Sequence, residues 1–288
     1  MNSRHRTAAP TEQRITLSHH LALSAQRWGD ADAPPLLALH GWLDNAGSFA
    51  LLAPRLAERF RVIALELPGH GHSSHLPAGI SYHYADYVSA VINATDALGL
   101  DRYHLLGHSL GAGIASLVAA AAPPRVDRLC LIEGLGPLGD DGSHTLKRFR
   151  DAFAAPAASG KSLRTFANIE QAVSARTVAS GLRAELARPI VERGLAQVDG
   201  GYRWRSDPRL TRPSPVRLAE SQIQALLCGI EARTALLLST PTTPYLPSAM
   251  MQARAALVPH MAVTHMDGGH HLHLEHPDAV AAWVLAHL

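Results

Sequence analysis

The 288-residue chain has two cysteines, almost no net charge (+2) and no long apolar run. Each scarcity removes a class of protein. Cys130 and Cys228 lie far apart in unlike contexts without metal-ligand spacing, which excludes a disulfide scaffold and predicts two reduced thiols. The small positive charge is spread along the chain and not gathered into a basic stripe, so nothing electrostatic favours nucleic acid as the main partner. The longest small-apolar run, 114–122, is interrupted by Ser116 and falls far short of the roughly 20 residues a membrane-spanning helix needs. Arg4 and Arg6 lead into Thr7, Pro10, Thr11 and Glu12, where a secretory signal would have an apolar segment. No membrane span and a cytoplasmic location are the expectations. With 47% hydrophobic residues the chain can bury an ordinary core, which excludes disorder.

From the start to about residue 135, short apolar runs alternate with longer amphipathic stretches, the pattern of βαβ units feeding a mostly parallel sheet. Strands are predicted over 14–17, 21–28, 36–40, 61–65, 103–106 and 126–132. Helices are predicted over 49–58, against which Pro54 counts, over 84–98, ended by Gly99, and over 110–122, stopped by Pro123-Pro124. Beyond Gly136 the texture turns to Pro, Gly, Ser, Arg and Ala, and stretches such as 151–159 and 200–215 show no strand alternation. The rhythm resumes with a strand over 234–239, a helix over 248–257, a strand over 261–265 and a helix over 277–288. The expected organisation is an α/β core formed by 1–135 and 225–288, with 136–224 inserted as a helical segment.

The strongest local signal is Gly107-His108-Ser109-Leu110-Gly111, a G-x-S-x-G directly after a predicted strand and directly before a predicted helix. At so sharp a turn the flanking positions have room for hydrogen only, and the serine is thrust out at a helix N-terminus. The backbone N–H of Leu110 is the natural first donor to an oxyanion there. His40-Gly41-Trp42, at the end of an earlier predicted strand, offers the N–H of Trp42 as the second. A serine needs a base to become a nucleophile at neutral pH. The tail Gly268-Gly269-His270-His271-Leu272-His273-Leu274-Glu275-His276-Pro277 supplies one, with His270 expected in that role and His271 as the alternative. A histidine-rich metal site would leave the serine without its base, and no metal or organic cofactor is expected.

Taken together, these segments resemble the α/β-hydrolases over nearly the whole chain. The resemblance rests on His40-Gly41-Trp42, Pro68-Gly69-His70-Gly71-His72-Ser73, the Ser109 turn and Gly269-His270. More narrowly, His40 to Asn45, Leu67 to His75, Gly201-Tyr202-Arg203-Trp204 and His270-His271-Leu272-His273 are similar to the serine hydrolase-like protein group. The resemblance implies a sheet with the site above it and, in 136–224, a helical cap inserted after the sixth strand. It also implies a triad acid. In many members that acid follows the next-to-last strand, but here Ser239-Thr240-Pro241-Thr242-Thr243-Pro244 has no carboxylate. Some relatives carry it after the strand following the nucleophile helix, a place taken here by Glu133, with Asp267 as the fallback.

Two phosphate-loop look-alikes are set aside. Gly134-Leu135-Gly136-Pro137-Leu138-Gly139 leads into Asp140-Asp141 where a phosphate would want a helix N-terminus, and Gly160-Lys161-Ser162 has no leading glycine or strand. His19, His20, His70, His72 and His75 read as surface or turn residues. The expected activity is hydrolysis of a carboxylic ester or related small acyl compound through Ser109, His270 and Glu133. A serine at the elbow, where dehalogenases and epoxide hydrolases of this fold use aspartate, argues against those reactions. The alternative is a non-hydrolytic small-molecule-binding protein, or a pseudoenzyme, on the same fold. Composition leaves the oligomeric state open.

Overall fold

Four consecutive buried residues in a strand need cover on both faces of the sheet. Such runs occur at 36–39, 62–65 and 129–132, and they form the middle of the protein. The computed structural model describes residues 9–17, 21–154 and 164–288. Arg4, Arg6, His19, His20 and Gly160-Lys161-Ser162 lie outside the described residues. The strands are β1 (Thr11–Thr16), β2 (Ala22–Trp28), β3 (Pro35–Leu39), β4 (Arg61–Leu65), β5 (Tyr103–His108), β6 (Val126–Ile132), β7 (Leu195–Val198), β8 (Gly201–Trp204), β9 (Arg233–Thr240) and β10 (Met261–Asp267). The helices are α1 (Ala53–Leu56), α2 (Tyr84–Ala97), α3 (Leu110–Ala121), α4 (Thr145–Ala154), α5 (Ile169–Ser180), α6 (Ala184–Gly194), α7 (Glu220–Leu227), α8 (Ser248–Ala255), α9 (Leu272–Glu275) and α10 (Pro277–His287).

Eight strands form one sheet in the order β1-β2-β4-β3-β5-β6-β9-β10. From β4 to β10 neighbours are parallel, while β2 runs antiparallel to both β1 and β4. Because β3 lies between β4 and β5, the winding direction reverses there. The crevice outside the C-terminal ends of such strands is where open α/β sheets place ligands. Alternate side chains enter opposite layers. Leu37 and Leu39 of β3 join Val91, Ile114 and Val118 on one face, whereas Leu36 and Ala38 join Phe49, Leu52 and Val284 on the other.

Two stretches depart from the sequence expectation. The predicted helix over 49–58 is a single 3-10 turn, Ala46–Phe49, capped by Asn45, followed by the one-turn α1. Pro54 sits in the first turn of α1, the place in a helix where the missing N–H costs nothing. Within 200–215, read as free of strands, β8 pairs with β7 across Asp199-Gly200. Strands of four residues are too short to display alternation, but an Asp-Gly pair between them is a hairpin signal.

Candidate active site

Ser109 is the single residue between the end of β5 and the start of α3, held at φ 53° and ψ −115°. A side chain in that region stores backbone strain that only a well-packed surround can hold. The flanking glycines explain how the packing is achieved. A Cβ on Gly107 would lie 2.6 Å from the Ala112 Cα, and one on Gly111 would lie 2.1 Å from the Leu39 carbonyl oxygen. The helix therefore presses directly against β3, and the serine hydroxyl points into the crevice above.

His270 follows β10 through Gly268-Gly269, and the Gly269 N–H donates to Glu275 Oε2 at 2.7 Å, which anchors the loop. Its Nε2 lies 2.8 Å from Ser109 Oγ and its Nδ1 lies 3.1 Å from Glu133 Oε2. Glu133 caps the end of β6 at φ 54° and is buried. Burial alone would raise its pKa. Hydrogen bonds from His270, Thr243 and the Ser239 N–H, with the charge of His270, outweigh burial and hold the carboxyl below its ordinary range. The Ser239 N–H donates at 2.5 Å, and the Thr243 hydroxyl bonds the other oxygen while lying 3.4 Å from His270 Nδ1. The loop after β9 has no carboxylate of its own, but the end of β9 and that loop supply one donor each to Glu133 at the end of the neighbouring strand.

The structure does not bring the alternatives to Ser109. His271 is buried, with Nε2 3.8 Å from Asp44 Oδ2, and burial pushes its pKa down to about 4. Asp267 is exposed at the end of β10. Trp42 and Leu110 both line the cavity above Ser109. The Gly41-Trp42 turn passes so close that a Cβ on Gly41 would lie 3.4 Å from the Ser109 Cβ. The Trp42 indole N–H donates to the Leu210 carbonyl at 3.1 Å.

Several contributors carry no signal of their own in the sequence. Tyr245, in the loop after β9, hydrogen-bonds Ser109, and its ring stands edge-on to His270 with centroids 5.4 Å apart. Burial, aided by the charge of Glu133, pushes its phenol up to about 12, so the hydroxyl keeps its proton. His108, the x of the serine turn, is fully buried among His273, His270 and His271, and burial first, then these neighbours, hold its pKa well below the ordinary value. Its Nε2–H donates to the His270 carbonyl at 2.8 Å, fixing that backbone. Behind it, Asp44 pairs with Arg176 of α5 and accepts the Ser48 hydroxyl at 3.0 Å. His273 Nε2 in turn lies 2.9 Å from Ser48 Oγ.

The remaining histidine and glycine motifs have structural partners. Leu67 N–H donates to His40 Nε2 at 3.1 Å, tying the end of β3 to the loop after β4. His70 lies in a turn as expected but is fully buried, 3.0 Å from the Pro68 carbonyl through Nδ1. The carbonyls of Leu135 and Pro137, inside the G-x-G-x-x-G, accept from buried Arg254 at 2.7 and 2.9 Å, so this turn is pinned by a cation. Among the described residues no group of three or more His, Cys, Asp or Glu side chains is placed to hold a metal ion. Among the same residues no helix is long and apolar enough to cross a membrane.

A mostly parallel eight-stranded sheet with a strained serine between β5 and α3 is the architecture of an α/β hydrolase, and residues 34–277 match that family. The chain belongs to the α/β-hydrolase fold family. It is 30% identical over 270 residues to a serine hydrolase-like protein of Danio rerio, covering 90% of this chain and 83% of that protein. Among solved structures, it is similar to a hypothetical protein from Pseudomonas aeruginosa PAO1, with TM-score 0.87 and 40% identity over 96% of this chain and 97% of the other. A thioesterase domain from the curacin biosynthetic pathway superimposes with TM-score 0.84 and 25% identity, covering 96% and 99%.

Proposed function

We propose that the chain is a serine hydrolase acting on a carboxylic ester or related acyl compound. The single observation that carries this reading is the continuous chain from Ser109 Oγ to His270 Nε2 at 2.8 Å and from His270 Nδ1 to Glu133 Oε2 at 3.1 Å. Ser109 Oγ attacks the acyl carbon as its proton passes to His270 Nε2. Glu133, ionised at neutral pH, holds the Nδ1–H tautomer and stabilises the imidazolium that forms. The backbone N–H groups of Leu110 and Trp42 take the negative oxygen of the tetrahedral intermediate. His270 then returns the proton to the departing alkoxide, leaving an acyl-serine. Water, deprotonated by the same imidazole, attacks that ester and releases the acid. Residues 136–224 act as the cap: Arg176, Ala179 and Ser180 of α5 and the segment around 209–218 line the cavity over Ser109. The likeness to a thioesterase domain supports acyl transfer to water as the reaction class.

Intact-mass spectrometry after exposure to a fluorophosphonate tests the reading directly. One adduct on the wild-type protein, absent from Ser109→Ala, with p-nitrophenyl acetate turnover lost in the same variant, is the expected result. A folded wild-type protein that takes no adduct and turns over no ester would instead be a ligand-binding member of the family.

A further inference from the structure

The cavity above Ser109 has a volume of about 2680 Å³, well beyond the roughly 300–1,000 Å³ usual for small-molecule sites. Its shape follows from its lining. Leu110 lines it at the serine end of α3, and Leu117 and Ala121 line it near the other end, about 16 Å away at 1.5 Å per residue; between them Tyr84 and Gly136, which cover α3 at Gly113, form its floor. Val88 and Ile92 of α2 form one wall of this arm, Leu226 of α7 and Val216 the other. None of the residues that α3 and α7 give to the cavity is ionisable.

Exposure sharpens the point. Eleven large hydrophobic side chains are strongly exposed among the described residues, and seven of them line this one cavity, Val216 at 63% and Leu226 at 40% among them. Scattered apolar residues on a surface need no explanation, but a contiguous set around one groove marks a binding site. The groove is continuous with the nucleophile at one end, long, and uncharged along α3. A linear hydrocarbon chain joined to a carbonyl fits all three features.

Resting on the serine hydrolase reading, we propose that the acyl part of the substrate is a long unbranched hydrocarbon chain that passes from Ser109 over Tyr84 and Gly136 to the far end of α3, between Ile92 of α2 and Leu226 of α7, with its carbonyl at Ser109. Each methylene buried there favours the transition state by two- to fourfold. The activity therefore climbs with chain length until the groove is filled.

The test is kcat/KM for p-nitrophenyl butyrate and dodecanoate, below the critical micelle concentration, for the wild type, Val216→Glu and Leu226→Glu. Both positions are exposed, so either glutamate can be accommodated without disturbing the core. The expected dodecanoate-to-butyrate ratio is at least tenfold in the wild type and falls at least fivefold in each variant. A flat ratio, a preference for butyrate, or variants that keep the wild-type ratio overturns the proposal. Fluorophosphonate labelling of Ser109 separates this failure from that of the hydrolase reading: a labelled protein that prefers butyrate loses only the groove assignment. If Ser109 takes no label, calorimetric titration with laurate decides, binding that the two glutamates weaken tenfold supporting the groove and absent binding overturning it. Glutamates that leave chain preference intact but turn a dimer into a monomer on gel filtration would assign the groove to a second copy of the chain.

Discussion

At the level of single residues, Glu133 carries the sharpest expectation. Its carboxylate is below its ordinary pKa because His270, Thr243 and Ser239 all donate to it, against the pull of burial. Glu133→Gln keeps the shape but removes the charge that favours the imidazolium and allows the amide to face His270 with N–H. A fall in kcat of about 10³- to 10⁴-fold with little change in KM is expected, as steady-state ester kinetics would show. Unchanged kcat would remove Glu133 from the chemistry and point back to another acid. Tyr245 is a gentler case. Tyr245→Phe leaves the ring against His270 but removes one hydrogen bond to Ser109, which predicts a loss in kcat of up to about tenfold and normal folding. Ser109 and His270 stand out in the sequence because each follows a strand inside a glycine-marked motif, whereas Glu133 comes only from the family resemblance; the structure brings the three side chains together. Tyr245 was not legible, since nothing in Pro244-Tyr245-Leu246 shows that the loop doubles back over the serine. The Asp44 and Arg176 pair was equally hidden, its members being 132 residues apart in the chain.

Elements explain why the fold was more legible than the connections. Buried strands such as β3 and β4 announce themselves by unbroken aliphatic runs, and α2 and α3 by their length and by the glycine or prolines that stop them. Short pieces carry too few residues for a period. The predicted helix over 49–58 dissolved into a 3-10 turn and one helical turn, while β7 and β8 escaped notice at four residues each. The tightest element-level dependence is between α3 and β3. Gly111→Ala would place a methyl 2.1 Å from the Leu39 carbonyl oxygen and 2.7 Å from that of His40, both backbone atoms that cannot rotate away. Because α3 carries Ser109 at its start, the helix can relieve the clash only by lifting off the sheet. Destabilisation above about 3 kcal/mol, or insoluble protein, is expected, measured as the shift in the urea midpoint. Gly99→Ala, where a Cβ meets nothing within 4 Å but φ is 64°, is the comparison, and about 1 kcal/mol of backbone strain is expected there.

For the whole molecule, the abundance of histidine matters through where it is buried. His40, His70, His108, His271 and His273 are all enclosed, and burial lowers the pKa of each, to about 3 for His70 and His273 and about 4 for His271. In the unfolded chain these imidazoles titrate near the ordinary value of roughly 6.5. The folded values are depressed, so the unfolded state binds protons first and stability falls as pH drops below that value. Each histidine contributes a slope of up to about 1.4 kcal/mol per pH unit between its unfolded and folded pKa. Several acting together over one or two pH units rival the 5–15 kcal/mol by which domains are ordinarily stable. Acid unfolding should therefore begin between about pH 6 and 5, above the range in which most carboxylates titrate. Urea denaturation at pH 7.5, 6.0 and 5.0 checks this: the midpoint should hold above pH 7 and drop steeply below 6, with the slope against denaturant unchanged. A midpoint constant down to pH 5 would mean that these histidines are hydrated or protonated in the folded protein. The packing of His108 against His270 would then have to be redrawn, and with it the support beneath the candidate base.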